Sequence, residues 1–239
     1  AFDYYREGIC AAFMPLAPEL AKGARAGFRS VVRSYPLPEG ALNVVSARSH
    51  QVVRTRAGIA ASPEPCWYLN LQLDGICGIE QGGERLDLRP GEVGLFDSDA
   101  VFTLDHSRRA GLRVASVLVP KRVLAARSAG PRRLSDHPLY GALMVQAAQA
   151  LSEGASRGAG LAGLQGLLLE VARLAVGDPA ATPERGTLWR IRAAIRSQAT
   201  RPGWSLGDCA AELGLSARQV QRLLAAEDDG FAAALTRER

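Results

Sequence analysis

The sequence predicts an α+β protein: a barrel or jelly roll of short β-strands, then a helical segment, then an all-α domain built on a helix-turn-helix. Three observations lead there. Between residues 42 and 119, short β-rich runs alternate with Gly, Pro and Asp turn signals. Beyond Pro120 the apolar residues recur at three- and four-residue steps, which is the helical period. Finally, SLGDCAAELGLSARQVQRLLAA, residues 205–226, joins two short helical patterns at a glycine.

Taken in order, residues 2–34 read as an irregular arm, anchored by Phe2, Tyr4, Tyr5, Phe13 and Phe28 and interrupted by Pro15 and Pro18. Strands are expected at Leu42–Arg48, Gln51–Thr55, Trp67–Leu73, Ile76–Glu80, Glu84–Leu88, Val93–Asp97, Val101–Leu104 and Leu112–Val119. Asp74-Gly75, Gln81-Gly82-Gly83 and Pro90-Gly91 supply the turn chemistry between several of them. Many short strands at this spacing make a sandwich or barrel, and LRPGEVGLFDS has the texture of a cupin-type jelly roll.

Helices are expected at Leu139–Leu151 and Leu161–Val176, where Leu161, Leu164, Leu168 and Val171 form one stripe that Leu167 and Leu174 widen. Such a stripe packs on its own domain or forms a dimer interface. Gly177–Gly186, GDPAATPERG, reads as an interdomain linker. A helix over Leu188–Thr200 turns Leu188, Ile191 and Ile195 to a core and carries Arg192 and Arg196 on the opposite side. The expected divisions are a cupin-like β-rich domain over 1–124, a helical segment over 125–176, an interdomain linker over 177–186 and a helix-turn-helix domain over 187–239.

Within the helix-turn-helix, Ser205 with Asp208 and Ser216 with Gln219 fit the capping box at two helix starts. Ala210 is small enough for close helix approach, and Gly214 accepts the positive φ of a tight turn. Cys209, Leu213, Leu215, Val220 and Leu223 form the small core. That leaves Ala217, Arg218, Gln221 and Arg222 facing outward from the second helix. Arginine pairs bidentately with guanine and glutamine with adenine, so this face has the chemistry of a major-groove reader.

Composition narrows the class. The chain of 239 residues is 47% apolar and 22% charged, with a formal net charge of +5, as for an ordinary soluble globular protein. All its basic residues but Lys22 and Lys121 are arginines. No run long and apolar enough to span a bilayer is present, and the N-terminus lacks a signal-peptide layout. Cys10, Cys66, Cys77 and Cys209 make no C-x-x-C pair and no zinc spacing, consistent with a reduced, cytoplasmic protein.

In this order, these features resemble the AraC/XylS family of transcription regulators. IRAAIRSQATRPGWSLGDCAAELGLSARQVQRLL is similar to the opening of that family's DNA-binding domain and FAAALTRER to its connecting helix. VVRTRAGIA, YLNLQLDG, LRPGEVGLFDS and VPKRVL resemble the sensory domain of one branch. The resemblance implies a cupin-like barrel that binds a small organic effector, helices that form a homodimer, and binding to double-stranded DNA. It places DNA contacts on Ser216, Ala217, Arg218, Gln221 and Arg222, with Ala217 shorter than the polar residue many members carry there. The family's domain holds two helix-turn-helix units, of which the sequence contains the first.

The competing reading is a cupin-type metal-dependent enzyme with an appended helical interaction module. Such enzymes gather two or three histidines and a carboxylate from neighbouring strands. The sequence has only His50, His106 and His137, with no H-x-H pair, and no Ser/His/Asp layout, phosphate loop or dinucleotide fingerprint. No catalytic residue, metal or cofactor is therefore expected. For the effector, alternate residues of Trp67–Leu73 point opposite ways, and either face could line the barrel. Tyr68, Asn70 and Gln72 form the mixed face that suits a pocket. Arg54 and Arg56 are candidates to meet an anionic effector.

Overall fold

The computed structural model describes residues 1–239 except 63, 127–129, 159, 178–182 and 227–228. Eleven described strands form two antiparallel sheets. The five-stranded sheet runs β1 (Ala17–Glu19), β4 (Gln51–Arg54), β9 (Phe102–Asp105), β6 (Cys77–Gln81), β7 (Glu84–Leu88) in spatial order. The six-stranded sheet runs β11 (Arg132–Arg133), β8 (Val93–Asp97), β5 (Cys66–Asp74), β10 (Gly111–Pro120), β3 (Ala41–Arg48), β2 (Ser30–Pro36). The result is a cupin-like β-sandwich followed by helices.

All the strands expected from turn chemistry and β texture are present, within a residue or two of the expected ends. Glycine decides two of the turns. Gly75 has φ +76°, and a Cβ there would collide with the carbonyl of Gly111 across the sheet. Gly40, at φ +88°, is pressed against the Leu118 backbone in the same way.

The N-terminal stretch departs from the irregular arm expected of it. Phe2–Ala12 is a helix, α1, because Phe2, Tyr5 and Ile9 share one face and bury it in the core between the sheets. Phe28 packs edge-on against Phe2 at 5.1 Å. A second short helix, α2 (Arg56–Ala60), is capped by Thr55, whose side chain accepts from the Gly58 amide.

The six-stranded sheet is covered on its outer face by α3 (Gly141–Arg157) and α4 (Leu161–Gly177). Leu69, Leu71, Val93, Leu95 and Val117 meet Met144, Leu151, Leu168 and Ala172 there, all nearly inaccessible to solvent. Gln165 fixes α4 to the β2–β3 turn, donating to the Glu39 carbonyl at 2.6 Å and accepting from its amide at 3.2 Å. Leu143, Leu167 and Leu174 stay on the outside of this helical layer.

The next helix, α5 (Pro183–Gln198), begins inside the stretch expected to be linker. Proline is favoured in the first turn, where its missing N–H is no loss, so the chain enters the helix at once. α5 packs Leu188, Ile191 and Ile195 against α6 (Leu206–Leu213), α7 (Ala217–Ala225) and α8 (Phe231–Glu238), with Trp204 closing the cluster.

Candidate functional site

Two features are built to do more than hold the fold. The first is the α6–α7 hairpin. Both capping boxes form: the Asp208 amide donates to Ser205 Oγ at 3.3 Å, and the Gln219 amide donates to Ser216 Oγ at 3.2 Å. Gly214 ends α6 at φ +67°. Cys209, Val220 and Leu224 are sealed between the helices, while Leu213 and Leu215 are half-buried at the turn. Burial pushes the Cys209 thiol up to about 11, so it packs as a small neutral side chain.

With its apolar face consumed, α7 presents Ala217, Arg218, Gln221 and Arg222 to solvent, with Ser216 at its start. Arg222 meets Glu184 at 3.6 Å, and both side chains are about two-thirds exposed. A pair this exposed is worth ~0–1 kcal/mol, so it holds Arg222 loosely.

The second feature is a cavity between the sheets, lined by both sheets and by Tyr5, Ile9 and Phe13 at the α1 end of the chain. Tyr68 and Asn70 of β5 face it, so the mixed face of that strand is the inward one, and Trp67, Leu69 and Leu71 pack outward under the helices. Gln72 is on the same inward face but bends away, its amide donating to the Asp74 carbonyl at 2.6 Å. Arg54 does not line the cavity. It is fully buried, and its guanidinium donates to the Ser98 and Pro15 carbonyls and to Ser62 Oγ at 2.6 to 3.1 Å, clasping three loops. Arg56 is exposed on α2. Neither arginine brings positive charge to the cavity wall.

His50 and His106 do line it. His50 Nδ1 lies 2.7 Å from the Arg48 carbonyl and must donate to it, which leaves Nε2 to accept from Tyr5 OH at 2.7 Å. His106 lies behind His50, with ring centroids 5.3 Å apart and Cys77 Sγ 3.9 Å from its Nε2. Burial, with His50 adding to it and Asp105 opposing, depresses His106 to about 3. Burial also lowers His50. Both rings are neutral at physiological pH. Among the described residues no cluster of three or more His, Cys, Asp or Glu is arranged to hold a metal ion.

Between cavity and hairpin lies an ion cluster that sequence reading did not find. The turn after β7 carries Arg89 and Glu92, and its backbone is tied to Gln72 of β5 by Gly91 N–H to Gln72 O at 2.8 Å and Gln72 N–H to Glu92 O at 3.0 Å. Glu92 pairs with Arg133 at 3.2 Å and Arg190 of α5 at 3.1 Å. Asp136 pairs with the same two arginines at 3.2 and 3.1 Å. Arg190 also reaches the Leu213 carbonyl at the end of α6, at 3.4 Å. The Arg89 guanidinium fills the space beside Gly214, where any side chain on that glycine would strike it. These residues are scattered over nearly half the chain, so only the folded arrangement brings their charges together.

A cupin-like β-sandwich with a lined cavity thus meets the helix-turn-helix through its own 89–92 turn. The comparisons with known proteins give the family. A model of the AraC-binding-like domain matches residues 5–177, and the chain belongs to this family of AraC-type transcriptional regulators. It is similar to the transcriptional activator NphR of Rhodococcus sp, 29% identical over 209 residues that make up 80% of this chain and 61% of that protein. The chain thus spans about three-fifths of the length of that relative. The AraC-like transcriptional activator CuxR has the same fold at 13% identity, with a TM-score of 0.57 over 99% of this chain and 88% of that one.

Two outcomes follow from this geometry. Arg190→Ala leaves Glu92 and Asp136 facing Arg133 alone, at a cost on the order of 3 kcal/mol to the docking of α5. Calorimetry is expected to split a single unfolding transition into two, with the helix-turn-helix domain melting first. Because His106 cannot protonate in the folded state until about pH 3, the unfolded chain binds the extra proton from its ordinary value of 6.5 downward. Stability is therefore full above pH 6.5 and falls on acidification towards pH 3, by about 1.4 kcal/mol per pH unit for that one proton. Thermal melts between neutral and mildly acid pH should show the slope, and His106→Gln should reduce it.

Proposed function

We propose that the protein is a sequence-specific DNA-binding regulator of transcription, acting as a homodimer under the control of a small organic effector held between its sheets. The observation that carries this reading is the exposed face of α7, where Arg218, Gln221 and Arg222 stand clear of the protein on a doubly capped helix. Placed in the major groove, arginine donates to guanine and glutamine pairs with adenine, while the start of the helix at Ser216 and Ala217 meets the phosphate backbone. Among the described residues Arg222 has the weak pairing with Glu184 to give up on entering the groove.

Control requires the effector to favour one arrangement of the chain energetically. The contacts for this run from Tyr68 and Asn70 along β5 to Gln72, across two backbone hydrogen bonds to the 89–92 turn, and through Glu92 and Arg89 to α5 and the Gly214 turn. A shift of β5 against its neighbours reorients the helix-turn-helix by this path, without covering its reading face. Dimerisation uses the outer surface of the helical layer, where Leu143, Leu167 and Leu174 are each about half exposed.

Arg222→Ala should weaken binding by about 1–3 kcal/mol and relax preference at one base position. Anisotropy titrations against matched DNA fragments at fixed salt check this, and a uniform loss across sequences would make Arg222 a phosphate contact instead. Sedimentation should show a dimer for the native chain and a monomer for Leu167→Glu with Leu174→Glu; a monomeric native protein removes the dimer from the account.

A further inference from the structure

The polar groups of the cavity are arranged by strand register. Ser116 of β10 lies opposite Asn70 of β5 on one side and Asn43 of β3 on the other. The three side chains thus form a row across adjacent strands on the inner face, at positions that are otherwise apolar. Each is at most 4% exposed. Among the described residues each also leaves an oxygen without a hydrogen-bond partner: Asn43 Oδ1, Ser116 Oγ and Asn70 Oδ1, joined by Tyr68 OH at the next inward position of β5. A buried polar atom left unpaired is costly, and an apolar side chain avoids that particular penalty. Asn70, Ser116 and Tyr68 line the cavity, with Asn43 beside them in the row, and unpaired polar groups facing a cavity are the pattern of a binding wall rather than of a core.

The remaining lining fixes the charge of the guest. Apart from the row, the wall consists of aliphatic and aromatic side chains and the two neutral histidines, with no Asp, Glu, Lys or Arg. A carboxylate or ammonium ion placed there loses its water and gains no counter-charge. The free space is ≈ 30 Å³, enough for little more than a water or two. A larger guest must displace the α1 side chains that make the third wall. The end of α1 is tied to the same row, Asn43 Nδ2 donating to the Ala12 carbonyl at 2.8 Å.

We propose that Asn70 and Ser116, with Asn43 extending the row, form the specificity wall for a small uncharged ligand that offers hydrogen-bond donors at one end and an apolar body at the other. As the effector of a regulator, this guest rests on the function proposed above; as a ligand of the cavity, it stands on the chemistry of the wall alone.

Two matched sets of probes test it on the full chain: isobutyramide, isobutyrate and isobutylammonium, and benzamide, benzoate and benzylammonium, each followed by thermal shift and calorimetry. At least one amide should raise Tm and bind, while its charged counterparts do neither. Asn70→Leu and Ser116→Ala should each weaken amide binding about tenfold or more, the loss of one buried hydrogen bond. In the absence of probe they should leave Tm unchanged or raise it, because an unpaired oxygen has been removed; a structural role would lower it. Failure of both amides to bind, equal binding of a charged counterpart, unaltered affinity in both variants, or a Tm lowered by Ser116→Ala would each overturn the proposal. Anisotropy with DNA on the same samples keeps the two readings apart: a native chain that binds amides but no DNA sinks the regulator and leaves the wall.

Discussion

Strand β5 has no solvent side, and the molecule is arranged around that fact. Trp67, Leu69 and Leu71 are wedged under α3 and α4, while Tyr68 and Asn70 face the cavity on the other side of the same backbone. Burying each large apolar side chain contributes roughly 1.5–3 kcal/mol, so neither face can give way cheaply. Interiors packed at crystal-like density do not absorb displacement smoothly. A guest that presses on Asn70 therefore presses on the helical layer and, through the Gln72 backbone, on the 89–92 turn.

That turn is where the β-sandwich meets α5 and the Gly214 turn. Glu92 is shared between Arg133 of β11 and Arg190 of α5, and Asp136 repeats the sharing. Two carboxylates and two guanidinium groups make a cluster with no net charge, which is how so many charges tolerate burial together. Its value lies in geometry: the bonds are satisfied in one orientation of α5, and the Gly214 turn rests on Arg89 in that same orientation.

Much of this was legible in the sequence, and the reason is locality. Turn dipeptides, capping boxes and the glycine of the helix-turn-helix act over a few residues, so their signal survives without the fold. Those rules located the central strands, both hairpin helices and the outward set Arg218, Gln221 and Arg222. The inward face of β5 was narrowed to two choices by alternation, and only the sheet-to-sheet packing could choose Tyr68 and Asn70. What was missed depends on distance along the chain. α1 is a helix because it has a core to cover, and the short strands β1, β2 and β11 exist because partners are in register beside them. Arg54 looked like an anion ligand, yet its donors are consumed by two carbonyls and a serine hydroxyl from three other segments. Asn43 and Ser116 carry no local signal, and register alone places them beside Asn70.

The central claim is that a β-sandwich carrying an uncharged cavity governs a helix that reads bases. The most direct measurement is selection of DNA from a random pool by the native full chain at moderate salt, followed by sequencing. Enrichment of a defined half-site, with the Arg218, Gln221 and Arg222 face required for it, is the predicted result. Retention of DNA with no enriched sequence, lost in proportion to added salt, would mean phosphate attraction alone and would contradict the account.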